Sequence, residues 1–555
     1  MYLRTISRRN RDGSVVRYCQ LAHNTWDSTR QQARAEVVYS FGREDELDRE
    51  ALKRLVRSIS RFLDPADALE ASASGELSFV ASRPFGGAYV LDELWRKLEI
   101  PRAIAKAASG RRLSASVERL LFCLVCNRAL APSSKLAALE WAASDVALPG
   151  ISGVGTDPQV FYRAMDFLLD ATEAIQREVF FAVANLFNVE VDVILFDTTS
   201  TYFEIDDTDD FRRFGHSKDH RGDRPQVVIG LAVTKDGIPV RCWSFAGNAS
   251  DTVVIRQVHD ELGSWKLHRV LWIGDRGFSS EENRTYLQRG GGHVLLGEKL
   301  RQGNANHEAL ARPGRFKTID DRLEVKEVVV GDGPARRRFV VAKDPAEAER
   351  DRQRRDEAIA RLEEELQAIE KKKGDARLAA EGELLCHPTL KRYLTRRSGR
   401  LVIDKAKVRA EAHLDGKFLL SCTDDALSAS DMARLYKSLL EVEASWRDLK
   451  QVIELRPIYH RKEDRIRAHV TLCFLALMLV RVIERATGDT WRNVRRELER
   501  MHLGEFSGPA GRVVQRTETT PRQREILRAL ELREPPLLVE HETAPRPRRR
   551  TAGPA

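Results

Sequence analysis

Three acidic residues have the type and placement needed for chemistry on phosphate. Asp197 closes the strand-like run Val191-Asp-Val-Ile-Leu-Phe-Asp197, Asp275 closes Val270-Leu-Trp-Ile-Gly-Asp275, and Glu443 sits inside the helical stretch from Tyr436 to Ile453. Hard divalent cations take oxygen ligands, and a pair of them can serve both the attacking and the leaving oxygen of a phosphoryl transfer. Carboxylates on two neighbouring strand ends and one facing helix suffice to hold two Mg²⁺ ions. The trio therefore points to a nuclease or a polynucleotidyl transferase.

The elements that must position these acids are legible in the periodicity. Leu435, Leu439, Val442, Trp446, Leu449 and Ile453 recur at alternating intervals of three and four residues, which defines the buried stripe of one helix. Tyr436, Leu440, Glu443, Arg447, Lys450 and Glu454 form the adjacent stripe. Glu443 thus lies at the edge of the buried face, with the cations of Arg447 and Lys450 one and two turns further on to hold phosphates. Pro457 is expected to end this helix, and 460–467 to open the next with further positive charge.

Upstream, Val191–Asp197, Gln226–Thr234 and Ile238–Phe245 read as strands, the last two joined in a hairpin by the turn Lys235-Asp-Gly237. Ser250 can cap a helix to about Leu262, Val270–Gly274 is a strand, Ser279-Ser-Glu-Glu282 offers a capping box for another helix, and His293–Gly297 makes a fifth strand. The order β-β-β-α-β-α-β, with acids at the ends of the first and fourth strands, is that of the ribonuclease-H-like fold. There the two strands are neighbours, about 4.8 Å apart, so their terminal carboxylates can share a metal.

The expected architecture is α/β: a mixed sheet flanked by helices, interrupted by a β-containing insertion with a charged helical arm, and preceded by a β module and a helical domain. The expected boundaries are 1–65 for the N-terminal β-rich module, 66–190 for a helical DNA-end-binding domain, and 191–299 for the first part of the core. The insertion follows at 300–429, the second part of the core at 430–500, and helices with a disordered basic tail at 501–555. In the insertion Ile359, Leu362, Leu366 and Ile369 give a narrow apolar seam on an otherwise charged helix, which fits a helical hairpin or coiled-coil arm, or a solvated helix packed on its own domain. The tail Thr543–Thr551 has no apolar periodicity and is rich in Arg and Pro.

Bulk properties are compatible with this reading. A chain of 555 residues exceeds one ordinary core, and 92 Lys plus Arg against 83 Asp plus Glu leave a net charge of +9, which modestly favours a nucleic-acid partner. The seven cysteines are odd in number and scattered, which suits a reducing compartment. Cys123-Leu-Val-Cys126 has the spacing of half a zinc site, but it lies in an apolar run that no second pair answers, so buried helix cysteines are expected. The segment after Met1 turns polar at once, and the apolar stretch Val470–Val480 is shorter than the roughly 20 residues of a spanning helix. The expectation is a cytoplasmic protein without a membrane partner.

The chain resembles the DDE transposases of bacterial insertion sequences, specifically family four and its relatives, whose signature around the third acid is Tyr-x2-Arg-x3-Glu-x6-Lys. Tyr436, Glu443 and Lys450 fall at the required spacings; Leu439 stands where the signature has Arg, and Arg447 on the Glu443 stripe is expected to stand in for it. Phe196-Asp-Thr-Thr-Ser200, Gly215-His-Ser-Lys-Asp-His-Arg221, Gly247-Asn-Ala-Ser-Asp251 and Gly274-Asp-Arg-Gly-Phe278 match in order. The long interval between Asp275 and Glu443 matches the β-containing insertion of family members.

The resemblance implies cut-and-paste transposition: recognition of terminal inverted repeats, pairing of two ends by a homodimer, strand hydrolysis, then attack on target DNA by the freed 3′-hydroxyl. It also implies two Mg²⁺ ions, with Mn²⁺ as a substitute, of which Asp197 bridges both while Asp275 and Glu443 each complete one. DNA contacts are expected from Tyr436, Arg447, Lys450, Lys218, Arg221 and Arg276. The competing expectation is an inactive or domesticated relative that binds DNA in a sequence-specific way without cutting it. Asp192 is a decoy beside Asp197, His216 and His220 suit Mg²⁺ poorly, and Trp243, Trp272 and Trp446 read as core.

Overall fold

The runs of alternating polarity at the N-terminus pair into an antiparallel meander of Tyr2–Arg9 (β1), Val15–Asp27 (β2) and Gln32–Arg43 (β3). The first turn needs Gly13, whose φ is +81°, and it is closed by the Asp12 carboxylate, which accepts from the backbone N–H of Ser14 at 2.9 Å and its hydroxyl at 2.6 Å. A helix follows at Arg49–Ser60, then the strand Ser78–Pro84 (β4) inside the stretch expected to be helical. The computed structural model describes residues 1–27, 31–60, 78–111, 117–151, 157–186, 192–265, 267, 270–289, 291–320, 323–333, 336–508 and 511–543. The end of the first helix expected near Leu63 lies outside them.

Helices Gly86–Lys97, Ile100–Ala108, Val117–Leu130, Lys135–Glu140 and Gln159–Leu186 pack into one apolar cluster with the later helix Glu463–Thr487. Cys123 and Cys126 are wholly buried in it, and burial pushes the Cys123 thiol up to about 12. Helix Glu463–Thr487 is longer and more continuously apolar than its central run suggests. It is long enough to cross a membrane, yet 89% of its most apolar window is buried inside the protein, as in a core helix.

The central sheet has nine strands: Val193–Tyr202 (β5), Gln226–Thr234 (β6), Pro239–Ala246 (β7), Leu271–Gly274 (β8), His293–Glu298 (β9), Lys317–Asp320 (β10), Leu323–Val330 (β11), Arg337–Lys343 (β12) and, beyond the hairpin Leu394–Arg397 (β13) and Arg400–Ile403 (β14), Lys417–Cys422 (β15). Its order is β10-β11-β12-β15-β9-β8-β5-β6-β7. β5, β8 and β9 are parallel neighbours, and every other pairing is antiparallel. Helices Asp251–Gly263 and Glu281–Leu287 make the crossovers from β7 to β8 and from β8 to β9. This is the mixed sheet of a ribonuclease-H-like core.

The insertion does more than interrupt that core. β15 pairs with β9 and carries β12, β11 and β10 outward, so a sheet edge that would expose unpaired backbone groups is continued instead. Helix Pro345–Glu370 folds back on Gly374–Cys386 as a hairpin. Leu362 and Ile369 of the charged helix are buried with Ala380, Leu384, Leu394 and Leu401, so the seam closes on its own small core.

Two local expectations are corrected. β5 does not stop at Asp197: Thr198–Tyr202 continue it against β6, because Thr and Tyr suit a paired strand and β6 extends as far. The helix of Glu443 is not continuous from Tyr436. Ala429–Lys437 ends and Leu439–Gln451 begins about Ser438, since the first packs by Met432 and Ala433 over the β9 to β12 side of the sheet and the second by Val442, Trp446 and Leu449 over β5 and β6.

Where helices were expected across 501–555, the strands His502–Gly508 (β16), Gly511–Arg516 (β17) and Leu538–Thr543 (β18) form, with one helix at Pro521–Ala529. They join β4 in a sheet of order β18-β17-β16-β4, a pairing so distant in the chain that local pattern does not reveal it. The basic tail beyond Thr543 lies outside the described residues. Two compact units result: residues 1–81, 504–515 and 538–555, and residues 82–503 with 516–537.

Candidate active site

Pairing between β5 and β8 brings the two aspartates together. The parallel register runs from Val193 opposite Leu271 to Phe196 opposite Gly274, and Asp197 and Asp275 are the next residue on each chain. Val193 and Leu195 are buried with Val442, Trp446 and Leu449, whereas Ile194 and Phe196 are buried with Val254, Ile255 and Val258. Alternation therefore turns Asp197 toward the face that helix Leu439–Gln451 covers. Asp197, Asp275 and Glu443 line one cavity of about 520 Å³.

The third wall is shaped by a glycine. Tyr436 stacks on Phe418 with ring centroids 5.9 Å apart and donates its hydroxyl to Asp275 Oδ1 at 3.2 Å. A Cβ on Gly297 of β9 would come within 2.2 Å of that hydroxyl and 3.0 Å of the ring, so the bare backbone is what admits the tyrosine. Cations from several elements border the same cavity: Arg276, Arg301, Lys417 and Lys437.

Burial comes first in raising the Asp197 and Glu443 carboxyls. Asp197 is raised above the usual carboxylate range chiefly by burial, with Asp275 adding to the rise and Lys218 opposing it. Glu443 is raised by burial, then by Asp197 and Asp275, and Arg447 opposes. A divalent cation would reverse that repulsion, and the donor set suits one: the cavity is lined by carboxylates, with no His or Cys among its residues. Among the described residues no three His, Cys, Asp or Glu side chains converge closely enough to hold a metal, so the acids share a cavity without forming a closed cage. Lys218 Nζ instead donates to Asp197 Oδ1 at 3.1 Å, to Thr198 Oγ1 at 3.0 Å and to the Thr198 carbonyl.

The other expected contacts divide. Arg276 lines the cavity beside the acids. Lys450 is held by Asp219 at 2.8 Å, and Arg221 pairs with Asp223 at 2.8 and 3.0 Å while covering the Tyr202 ring. Arg447 is exposed one turn from Glu443 and borders a neighbouring hollow with Arg481, Arg485 and Arg492 rather than the acidic cavity; Leu439 lines the latter. Asp192 is mostly exposed and faces Lys235 at 3.4 Å, away from the acids. Sequence reading missed Gly297 and Asp219. A glycine amid Val294-Leu-Leu-Gly-Glu298 was the available signal for the first, and Asp219 lay within a matched motif without a role.

A sheet with two aspartates at adjacent parallel strands and a glutamate on the covering helix defines the polynucleotidyl transferases of ribonuclease-H-like fold. The transposase DDE domain family matches residues 192–479, and the N-terminal domain of IS1634 family transposases matches residues 3–71. The chain belongs to the DDE transposases of insertion sequences. No curated protein matches it significantly. Membership carries with it DNA binding and dependence on a divalent metal.

Proposed function

We propose that the protein moves its insertion sequence by cut-and-paste transposition, with Asp197, Asp275 and Glu443 as the catalytic, metal-holding set. The observation that carries the reading is the β5/β8 register, which sets Asp197 and Asp275 side by side, with Glu443 lining the same cavity. Asp197, Asp275 and Glu443 are the residues that would hold two Mg²⁺ ions, for which Mn²⁺ would substitute. When bound, the cations lower the pKa of the attacking water or 3′-hydroxyl and offset the charge that develops on the leaving oxygen.

The chain's own groups orient the DNA. Tyr436 fixes Asp275 through its hydroxyl, and Arg276, Lys417 and Lys437 meet the phosphates that approach the acids. Hydrolysis forms a new P–O bond to water and breaks the P–O3′ bond, leaving a 3′-hydroxyl. That hydroxyl then attacks a target phosphodiester, forming one P–O bond as another breaks, so no external energy source and no covalent enzyme intermediate is required. Residues 66–190 recognise the inverted repeats, two ends are paired by a homodimer, and the reaction takes place in the bacterial cytoplasm at the nucleoid. The affiliation with insertion-sequence family four rests on Tyr436, Glu443 and Lys450.

The test is purified protein with paired-end DNA and Mg²⁺ or Mn²⁺. Strand cleavage at the element ends, abolished by Asp197→Asn, Asp275→Asn or Glu443→Gln with DNA binding intact, is the expected result. Binding without cleavage under any divalent metal would leave a DNA-binding relative, and cleavage that ignores end sequence would leave a structure-selective nuclease.

A further inference from the structure

We propose that Lys218 and Asp219 form a brace that sets the position of the Glu443 helix against the strand of Asp197, making Asp219 and Lys450 positioning residues of the acidic site. The inference rests on the assignment of Asp197, Asp275 and Glu443 above. Two consecutive residues hold one acid and the helix that carries another. Lys218 reaches Asp197 directly, and its backbone N–H donates to Ser200 Oγ at 2.9 Å, which ties the loop to β5. Asp219 takes Lys450 Nζ on Oδ1 at 2.8 Å and Arg456 Nη1 on Oδ2 at 3.1 Å. Lys450 lies two turns beyond Glu443 on the same helix, and Arg456 follows just past its end.

The contacts are sheltered enough to matter. Asp219 and Lys450 are 14% and 18% exposed, so salt screens the pair less than a surface bridge, and loss of Asp219 removes the acid that pairs with both Lys450 and Arg456. Arg456 also stacks over Tyr202 at 4.8 Å, with Arg221 on the same ring at 4.9 Å. Tyr202 is the last residue of β5, so helix end, loop and strand meet at one ring.

The loop is itself stiff. Gly215 passes so close to Gly247 that a Cβ would lie 2.1 Å from the Gly247 carbonyl oxygen, and Gln226 Nε2 donates to the carbonyls of His216 and Gly247 at 3.1 and 3.0 Å. Ser217 Oγ accepts from the backbone N–H groups of Asp219 and Arg221 at 3.3 and 3.1 Å. A stiff loop that holds strand and helix through adjacent side chains fixes their separation, and groups that orient metal ligands commonly change metal affinity by about 10- to 100-fold when removed.

The experiment is calorimetric titration of the full-length, DNA-free protein with Mn²⁺. Asp219→Asn is expected to weaken Mn²⁺ binding by about tenfold with an unchanged circular dichroism spectrum, and Asp219→Glu to recover most of it. Lys450→Met is expected to weaken binding less than Asp219→Asn, because Asp219 still holds Arg456, and the double variant no further than Asp219→Asn, because Lys450 acts through Asp219. Mn²⁺ affinity equal to wild type in folded Asp219→Asn or Lys450→Met, or effects that add in the double variant, would overturn the brace. Wild-type affinity in Asp197→Asn and Glu443→Gln would instead overturn the assignment of the acids, so the two failures are told apart.

Discussion

Tyr436 occupies the space that Gly297 leaves open, its hydroxyl only 2.2 Å from where a Cβ on that glycine would sit. Gly297→Ala must displace the ring, at an overpacking cost of about 1–3 kcal/mol, and with it the hydrogen bond to Asp275. Strand cleavage by Gly297→Ala should fall to the level of Tyr436→Ala, whereas Tyr436→Phe, which keeps the ring, should retain more activity than either. Single-turnover cleavage rates would check the ranking; wild-type rates in Gly297→Ala would contradict it.

Burial and mutual repulsion hold the Asp197 and Glu443 carboxyls above their ordinary range, which leaves the metal-free site destabilised. Mg²⁺ at a hundredfold excess over its dissociation constant should add about 2.7 kcal/mol of stability, reversed by a chelator. Asp275→Asn should abolish most of that gain, and Glu443→Gln should raise the melting temperature of the metal-free protein. Thermal unfolding with and without Mg²⁺ measures both.

Arg447 projects from the helix one turn past Glu443 and borders a hollow with Arg481, Arg485 and Arg492, while Leu439 faces the acidic cavity. If Arg447 supplies the phosphate contact that Leu439 cannot, Arg447→Ala should weaken DNA binding and lower the salt slope of log K by about one. Leu439→Arg should stay active. An inert Arg447→Ala in a filter-binding series across salt concentrations would remove the residue from the DNA path.

Lys135 is buried against His469, its Nζ 3.4 Å from Nδ1, and burial followed by the charge of Arg128 brings its pKa down to about 7. The unfolded chain holds a proton that the folded chain releases, so this site makes stability rise with pH from about 7 to about 10.5, with the full penalty present below that window. Lys135→Met should be more stable than wild type at pH 7, by on the order of 2 kcal/mol, with the advantage gone by about pH 10.5. Urea unfolding of both proteins across that range tests the sign. An advantage that grows with pH would refute it.

Much of the core was written in short-range pattern. Apolar runs bounded by turn residues marked β5 to β9 in order, and the three-four rhythm of Val442, Trp446, Leu449 and Ile453 marked which face of the Glu443 helix is buried. Such periodicity records the environment each residue meets, because side-chain direction repeats every two residues on a strand and every three or four on a helix. It does not record the partner. That is why the break about Ser438 was missed: one stripe ran through both helices, although each covers a different part of the sheet.

By itself, then, the sequence determined the strands at Asp197 and Asp275, the buried face of the Glu443 helix, and the family to which their order belongs. Tertiary structure alone decided that the insertion would extend the sheet through β15, that β4 would pair with β16 across most of the chain, and that Lys218 and Asp219 would face Asp197 and Lys450. These are contacts between segments far apart in sequence. They are selected by which unpaired edges and uncompensated charges remain once the local elements have formed, and no window along the chain contains both sides of such a choice.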